Sequence, residues 1–220
     1  MQDYLKAIYR VGEESGRPTV ATSEVASALA VTAASASAML KKLVQLGFVT
    51  QAGRRGTVEL TDEGRSAALE VIRHHRLLET YLVTRLGVPW DEVHREAEIL
   101  EHHLSEELEA RIADELGHPE RDPHGDPIPT LTGQVVPAPT DRLSDLAEGS
   151  RAVISRVSDH DPSLLRYLAD KGLVPDARVQ VARRGPFGGP IRVRVGSGKV
   201  VDVPPDAARA VRVVAEDVGG

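Results

Sequence analysis

Four side chains able to hold a cation, His94, Glu98, Glu101 and His102, recur at offsets of four, three and one within VHREAEILEHHLSEEL. An α-helix turns once every 3.6 residues, so in one continuous helix these groups share a face on adjacent turns. His75 and Glu79, in HHRLLET, repeat the i, i+4 spacing on the preceding segment. Two antiparallel helices showing imidazole and carboxylate to the same space would form a mixed nitrogen and oxygen site. Each pair alone also suits a solvated hydrogen bond. The apolar neighbours Leu78, Val93, Ile99, Leu100 and Leu104 favour ligation, because unpaired charge beside them would be costly to desolvate.

The other uses of such groups find little support. The chain has no cysteine, which excludes disulfides, zinc-thiolate knuckles and thiol catalysis, and leaves oxygen and imidazole as ligands. His-Glu-x-x-His, Gly-x-Ser-x-Gly, phosphate-loop and dinucleotide-binding signatures are missing, so the chain does not read as an enzyme. His74 and His103 project about 100° around the helix from the ligand stripe, as surface or supporting residues. His118, His124 and His160 fall in loops, where a solvated histidine is expected.

With 220 residues, 41% apolar and 27% charged, the chain can bury one large or two small cores. No stretch approaches the roughly 20 apolar residues of a bilayer span, and MQDYLKAIYR is charged and amphipathic, unlike a secretory leader. A cytoplasmic protein without a membrane partner is expected. The net charge of −6 is unevenly spread: residues 1 to 60 carry 7 basic against 5 acidic groups, 61 to 130 carry 7 against 17, and 131 to 220 carry 13 against 11. A mildly basic end suits phosphates and an acidic middle suits cations.

The elements that must position these groups follow from periodicity. Residues 3 to 15 place Tyr4, Ile8 and Val11 at helical spacing, stopped by Gly16 and Pro18. SEVASALA makes a second helix after Thr22 or Ser23, and a break at Val31-Thr32 leads to a third, AASASAMLKKLVQLGF. Met39, Leu40, Leu43 and Leu46 form its apolar stripe. FVTQAGRRGTVELT reads as a hairpin around Ala-Gly-Arg-Arg-Gly. This order is that of a winged helix-turn-helix over residues 1 to 60. Thr32, Ala33, Ala34, Ser35, Ser37 and Ala38 would then enter a groove about 12 Å wide, while Lys41, Lys42, Arg54 and Arg55 serve phosphates. A small helical domain with solvated lysines fits the same pattern.

A long helix starts at Thr61 and runs to Leu86-Gly87, with Leu69, Val71, Ile72, Leu77, Leu78, Tyr81 and Leu82 as a stripe broad enough for a core or a dimer interface. A single helix from about Trp90 to Leu116 is expected next. Residues 117 to 149 are rich in Pro and Gly, lack periodicity and read as a linker. From Ser150 the segments RAVISRVS, VPDARVQVARR, PIRVRVG, KVVDVP and AVRVVAE, with a helix PSLLRYLADKG, suggest a small β-barrel. The fold class expected is mainly α with small β, in four parts: 1–60, a helical domain 61–130, a linker 131–149 and a small barrel 150–220.

The order DYLKAIY, winged helix, RHHRLLE, EVHREAEILEHHLSEE, DPHGDPIP and C-terminal barrel resembles the diphtheria toxin repressor family of metal-dependent transcriptional regulators across nearly the whole chain. The resemblance implies a homodimer on double-stranded operator DNA, with two dimers per operator one arrangement to consider, an SH3-like third domain, and repression of metal uptake. It makes Asp3, Glu98, Glu101 and His102 the primary, activating site. His75, Glu79 and His94 would form the ancillary site with ligands from the third domain, Asp159 and His160 first and Asp161 as their rival. Where iron-responsive members use methionine and cysteine, this chain has Asp3 and Glu98. Mn²⁺ prefers oxygen and sits at the weak end of the Irving–Williams order, so the chain is similar to the manganese-responsive branch. Fe²⁺ is the alternative, and Co²⁺, Ni²⁺, Cd²⁺ or Zn²⁺ would substitute in vitro. Lys6 stands where compact manganese regulators carry another acid on the first helix, which favours two separated sites over a closely paired one.

Overall fold

The computed structural model describes residues 1–53, 56–137, 141–159 and 161–216. The chain divides into two compact units: Met1–His75 with Glu101–Leu104 and Pro129–Gln134, and Arg76–Leu100 with Ser105–Ile128 and Val135–Gly220.

The first unit opens with α1, Gln2–Ser15, ended by Gly16 at φ 64°, the left-handed conformation that glycine adopts without a Cβ penalty. A short strand, β1 (Val20–Ala21), precedes α2 (Thr22–Ala28). Glu24 reaches back so that its carboxylate accepts the Ala21 N–H at 2.7 Å, satisfying one amide at the helix start. In α3, Ala33–Gln45, the hydroxyl of Thr32 accepts the Ser35 N–H at 3.1 Å. β2 (Val49–Gln51) and β3 (Thr57–Leu60) form the hairpin, and β1 joins them to give an antiparallel sheet of order β1-β3-β2. Leu5, Ile8, Val20, Val25, Leu40, Leu43, Val49 and Val58 are its buried apolar residues. The expected α3 stripe needs one correction. Ala36 is buried, whereas Leu46 at the C-cap is 50% exposed. Helix α4, Asp62–Leu86, starts at the Thr61 cap, whose hydroxyl accepts the Gly64 N–H. Gly64 itself is required there, since a Cβ would lie 1.8 Å from the Phe48 carbonyl oxygen.

The single helix expected from Trp90 to Leu116 is in fact broken. α5 runs Val93–Leu100, a 3₁₀ turn covers Glu101–His103, and α6 begins at Glu106 and ends at Leu116. Ser105 caps α6, its hydroxyl accepting the Leu108 N–H, with Glu106, Glu107 and Glu109 in the acidic first turn. That start signal outcompetes helix continuation through Leu104.

The stretch 117–149 also departs from expectation. Asp122, His124, Asp126 and Ile128 are buried, and Leu143, in a 3₁₀ turn Leu143–Asp145, is fully enclosed in the core of the second unit. Pro and Gly remove periodicity without removing order. The rest of this unit comprises β4 (Arg151–Val157), α7 (Pro162–Lys171), β5 (Arg178–Arg184), β6 (Ile191–Val195), β7 (Lys199–Val203), α8 (Pro205–Arg209) and β8 (Val211–Ala215). The strands form one antiparallel sheet of order β7-β6-β5-β4-β8. Ala152, Ile154, Leu165, Leu168, Val181, Val193 and Val213 fill its core. The fold class is as expected, mainly helical with a small C-terminal antiparallel sheet. Among the described residues no single helix is long and apolar enough to cross a membrane.

Candidate metal centres

In the first unit Asp3, near the start of α1, meets Glu101 and His102 on the 3₁₀ turn, with one ligand atom from each lying within 4.8 Å of the others. His102 Nε2 is 2.7 Å from Asp3 Oδ1 and 3.6 Å from Glu101 Oε1. Its other nitrogen, Nδ1, lies 2.9 Å from the amide oxygen of Gln2. With that oxygen accepting from Nδ1–H, the neutral ring presents its Nε2 lone pair to the two carboxylates. Gln2 was not among the residues singled out from sequence, and no spacing signal marks it.

Glu101 is 2% exposed and is held from two directions: Lys6 Nζ donates to its two oxygens at 2.9 and 2.8 Å, and His75 Nδ1 is 2.5 Å from Oε2. Burial raises the Glu101 pKa, but the His75 hydrogen bond and the Lys6 charge outweigh it and leave the carboxyl below its ordinary value. Lys6 is buried with it, so an ammonium already neutralises this carboxylate. His74 is buried too, its Nδ1 3.4 Å from the Glu101 carbonyl oxygen, and is therefore a supporting residue, not a surface one.

Glu98 does not join the Asp3 group. Its side chain is 54% exposed and its carboxylate lies 3.6 Å from His94 Nε2. The helix break explains this, because an offset of three aligns Glu98 with Glu101 only while the helix continues.

In the second unit Glu79 is fully buried on α4, one turn after His75. His94 Nδ1 is 3.1 Å from Glu79 Oε1 and 3.6 Å from Asp159 Oδ2. Asp161, the rival third-domain ligand, is spent on capping α7, where it accepts the Ser163 N–H at 2.8 Å. His160 lies outside the described residues, as do Arg54 and Arg55 of the wing.

The loop Asp122–Asp126 brings a residue that sequence reading left in solvent. His124 is 0% exposed, stacked on Trp90 with ring centroids 5.4 Å apart. Its Nε2–H donates to the Trp90 carbonyl at 2.8 Å, and Nδ1 lies 3.8 Å from Glu79 Oε2. Burial alone would lower the His124 pKa; the facing Glu79 carboxylate, then Asp122 and the Trp90 carbonyl, raise it to about 9. Asp122 moves upward as well, through burial first and then the charges of Asp126 and Glu79. The only sequence signal was the Asp-Pro-His-Gly-Asp turn chemistry, which periodicity cannot see.

On α3, Thr32, Ala33, Ala34, Ser35, Ala38, Lys41 and Lys42 are exposed and Ser37 is half-buried, so small side chains and two ammonium groups share an accessible surface.

Cradles of carboxylate and imidazole attached to a winged helix-turn-helix define a class of protein, the metal-dependent DNA-binding regulators. Residues 1–57 match the iron dependent repressor N-terminal DNA binding domain, 61–130 the iron dependent repressor metal binding and dimerisation domain, and 142–215 the FeoA domain. The chain is 36% identical over 222 residues to the iron-dependent repressor IdeR of Mycobacterium tuberculosis strain H37Rv, covering 96% of this chain and 94% of that one. It is 30% identical to the diphtheria toxin repressor of Corynebacterium glutamicum, covering 96% and 93%. Among solved structures, a manganese-dependent transcriptional repressor in complex with manganese is 46% identical with TM-score 0.89, covering 98% of this chain and 99% of that one. IdeR of T. acidophilum is 31% identical with TM-score 0.77, covering 98% and 97%. The chain belongs to the iron-dependent repressor, or diphtheria toxin repressor, family. It is a metal-dependent transcriptional repressor, not an enzyme, with operator DNA and a second copy of itself as partners.

Proposed function

We propose that this protein is a manganese(II)-dependent repressor of metal-uptake genes, acting in the cytoplasm. The observation that carries this is the sulfur-free donor set at Asp3, Glu101 and His102, with Asp3 Oδ1 2.7 Å from His102 Nε2. Hard carboxylate oxygens with one borderline imidazole suit Mn²⁺, whereas soft ligands would favour its competitors. Asp3, Glu101 and His102 form the activating site, and Glu79, His94 and Asp159 the core of an ancillary one. The proposed parts are 1–60 for DNA, 61–130 for metal and dimerisation, and 150–220 as the SH3-like domain. The exposed small residues of α3 read the major groove, with Lys41 and Lys42 on phosphates.

A bound divalent cation supplies positive charge that links α1 to the Glu101–His103 turn. Asp3 and His102 hold the two elements together, Gln2 fixes the ring tautomer, and Lys6 and His75 keep Glu101 ionised in a buried setting. If the DNA-competent arrangement binds metal 100-fold better than the alternative, operator affinity gains about 2.7 kcal/mol per site.

Operator binding titrated with Mn²⁺ and with Fe²⁺ at equal free concentration, without oxygen, tests the metal assignment. Activation at lower free Mn²⁺ is expected; activation at lower free Fe²⁺ would replace manganese by iron, the second reading that the names of the mycobacterial relatives support.

A further inference from the structure

Glu79, Asp122 and His124 are all buried in the second unit, and one ligand atom from each lies within 4.8 Å of the others. The Trp90 carbonyl takes the Nε2 proton of His124, so the neutral ring turns its Nδ1 lone pair toward the two carboxylates. That Nδ1 is buried and has no hydrogen-bond partner among the described residues. The 3.8 Å from Nδ1 to Glu79 Oε2 is too long for a hydrogen bond. It matches two ligands on one ion, since bonds of about 2.2 Å at wide angles put their donors about 3 to 4 Å apart.

Nearby positive charge is directed elsewhere. Arg76 and Arg156 both close on Asp126, at 3.0 and 2.9 Å, while Arg76 reaches Asp122 only at 3.7 Å. Asp122 is fixed by its own loop, with Oδ1 accepting the N–H groups of His124 and Asp126 at 2.9 Å each. Gly125, at φ 92°, lets this turn press on β4, since a Cβ would lie 2.1 Å from the Ser155 carbonyl oxygen. The ligand atoms are thus held by backbone, and the loop cannot easily turn them away.

We propose that the chain binds a further divalent cation between Glu79, Asp122 and His124, distinct from the Asp3 site and sharing Glu79 with the ancillary one. Glu79 bridges, Oε1 serving the His94 side and Oε2 the His124 side. The oxygen and imidazole donors select the same class of ion, Mn²⁺ among those available, with water completing the shell. The inference rests on these three residues and does not need the operator-binding reading to hold.

Crystals of the full-length chain soaked in Mn²⁺ and measured at the manganese absorption edge test it directly. An anomalous peak between Glu79, Asp122 and His124, separate from any peak at Asp3 or His94, is the expected result. Equilibrium dialysis against Mn²⁺ should show one ion fewer per chain in His124→Leu and in Asp122→Asn, each checked for native circular dichroism. No peak in the wild-type crystal overturns the proposal, whatever the variants do, and leaves His124 as an imidazolium paired to Glu79. Equal stoichiometry in wild type and folded His124→Leu overturns it as well.

Discussion

The two acidic clusters of this protein solve the same electrostatic problem in opposite ways. At Asp3, Glu101 and His102 the outer ligands are open, with side chains 56% and 30% exposed for Asp3 and His102, and the one buried carboxylate already has an ammonium on it. At Glu79, Asp122 and His124 everything is buried, and the cationic partner is an imidazole whose charge depends on what occupies the space beside it. An exposed cluster with its own counter-charge can load and unload without unfolding its surroundings. A buried one needs a proton or an ion to offset the cost of enclosing its charge, and so is tied to the stability of the fold. The first suits a sensor and the second suits a strut.

Changing each cluster in turn should separate these roles. Replacing Asp3 with Ala removes the only α1 ligand from the exposed cluster; Mn²⁺-stimulated operator binding should fall about 100-fold, or 2.7 kcal/mol, while sedimentation still reports a dimer. Unchanged Mn²⁺ stimulation in fluorescence anisotropy would remove Asp3 from the switch. Glu79→Gln in the metal-free protein should lower unfolding free energy by about 2 kcal/mol, because a buried imidazolium loses its carboxylate. A urea midpoint equal to or above wild type would show instead that surplus negative charge, not its loss, is the costly state.

Lys6→Met sharpens the contrast in the other direction. Without the ammonium competing for Glu101, half-maximal activation should need about 10-fold less Mn²⁺, a change of 1.4 kcal/mol. A higher Mn²⁺ requirement would mean that Lys6 orients the carboxylate and does not compete for it. Glu24→Gln, in α2 and part of neither cluster, serves as the reference. The Ala21 N–H and then Arg17 hold the Glu24 pKa below its ordinary 4.5, so its contribution is present above that pH and is lost as pH falls through the folded value. Solvent screening at this partly exposed site keeps the loss under about 0.5 kcal/mol, with Mn²⁺ stoichiometry unchanged.

Much of the fold could be read from local patterns. Caps at Thr32 and Thr61, stops at Gly16 and Gly87, and alternation in the C-terminal strands are short-range signals that tertiary contacts did not override. Two misreadings share a cause. The break at Glu101–His103 was announced by Ser105 and the acids after it, yet a continuous ligand stripe is the simpler periodic pattern. The burial of His124 was hidden because a turn built on Asp122 and Gly125 has no period to detect.

Residue types and spacing by themselves determined the chemistry available to this protein: oxygen and imidazole, no sulfur, and a helix-turn-helix beside an acidic middle. Only the folded chain decided how those ligands were divided. It placed Lys6 and His75 on Glu101, set Glu98 beside His94, and enclosed His124 with Glu79 and Asp122. Ligand identity is a local property of the sequence, but the pairing of groups 95 residues apart, as for Lys6 and Glu101, is fixed by packing, where burial makes each charge choose a partner.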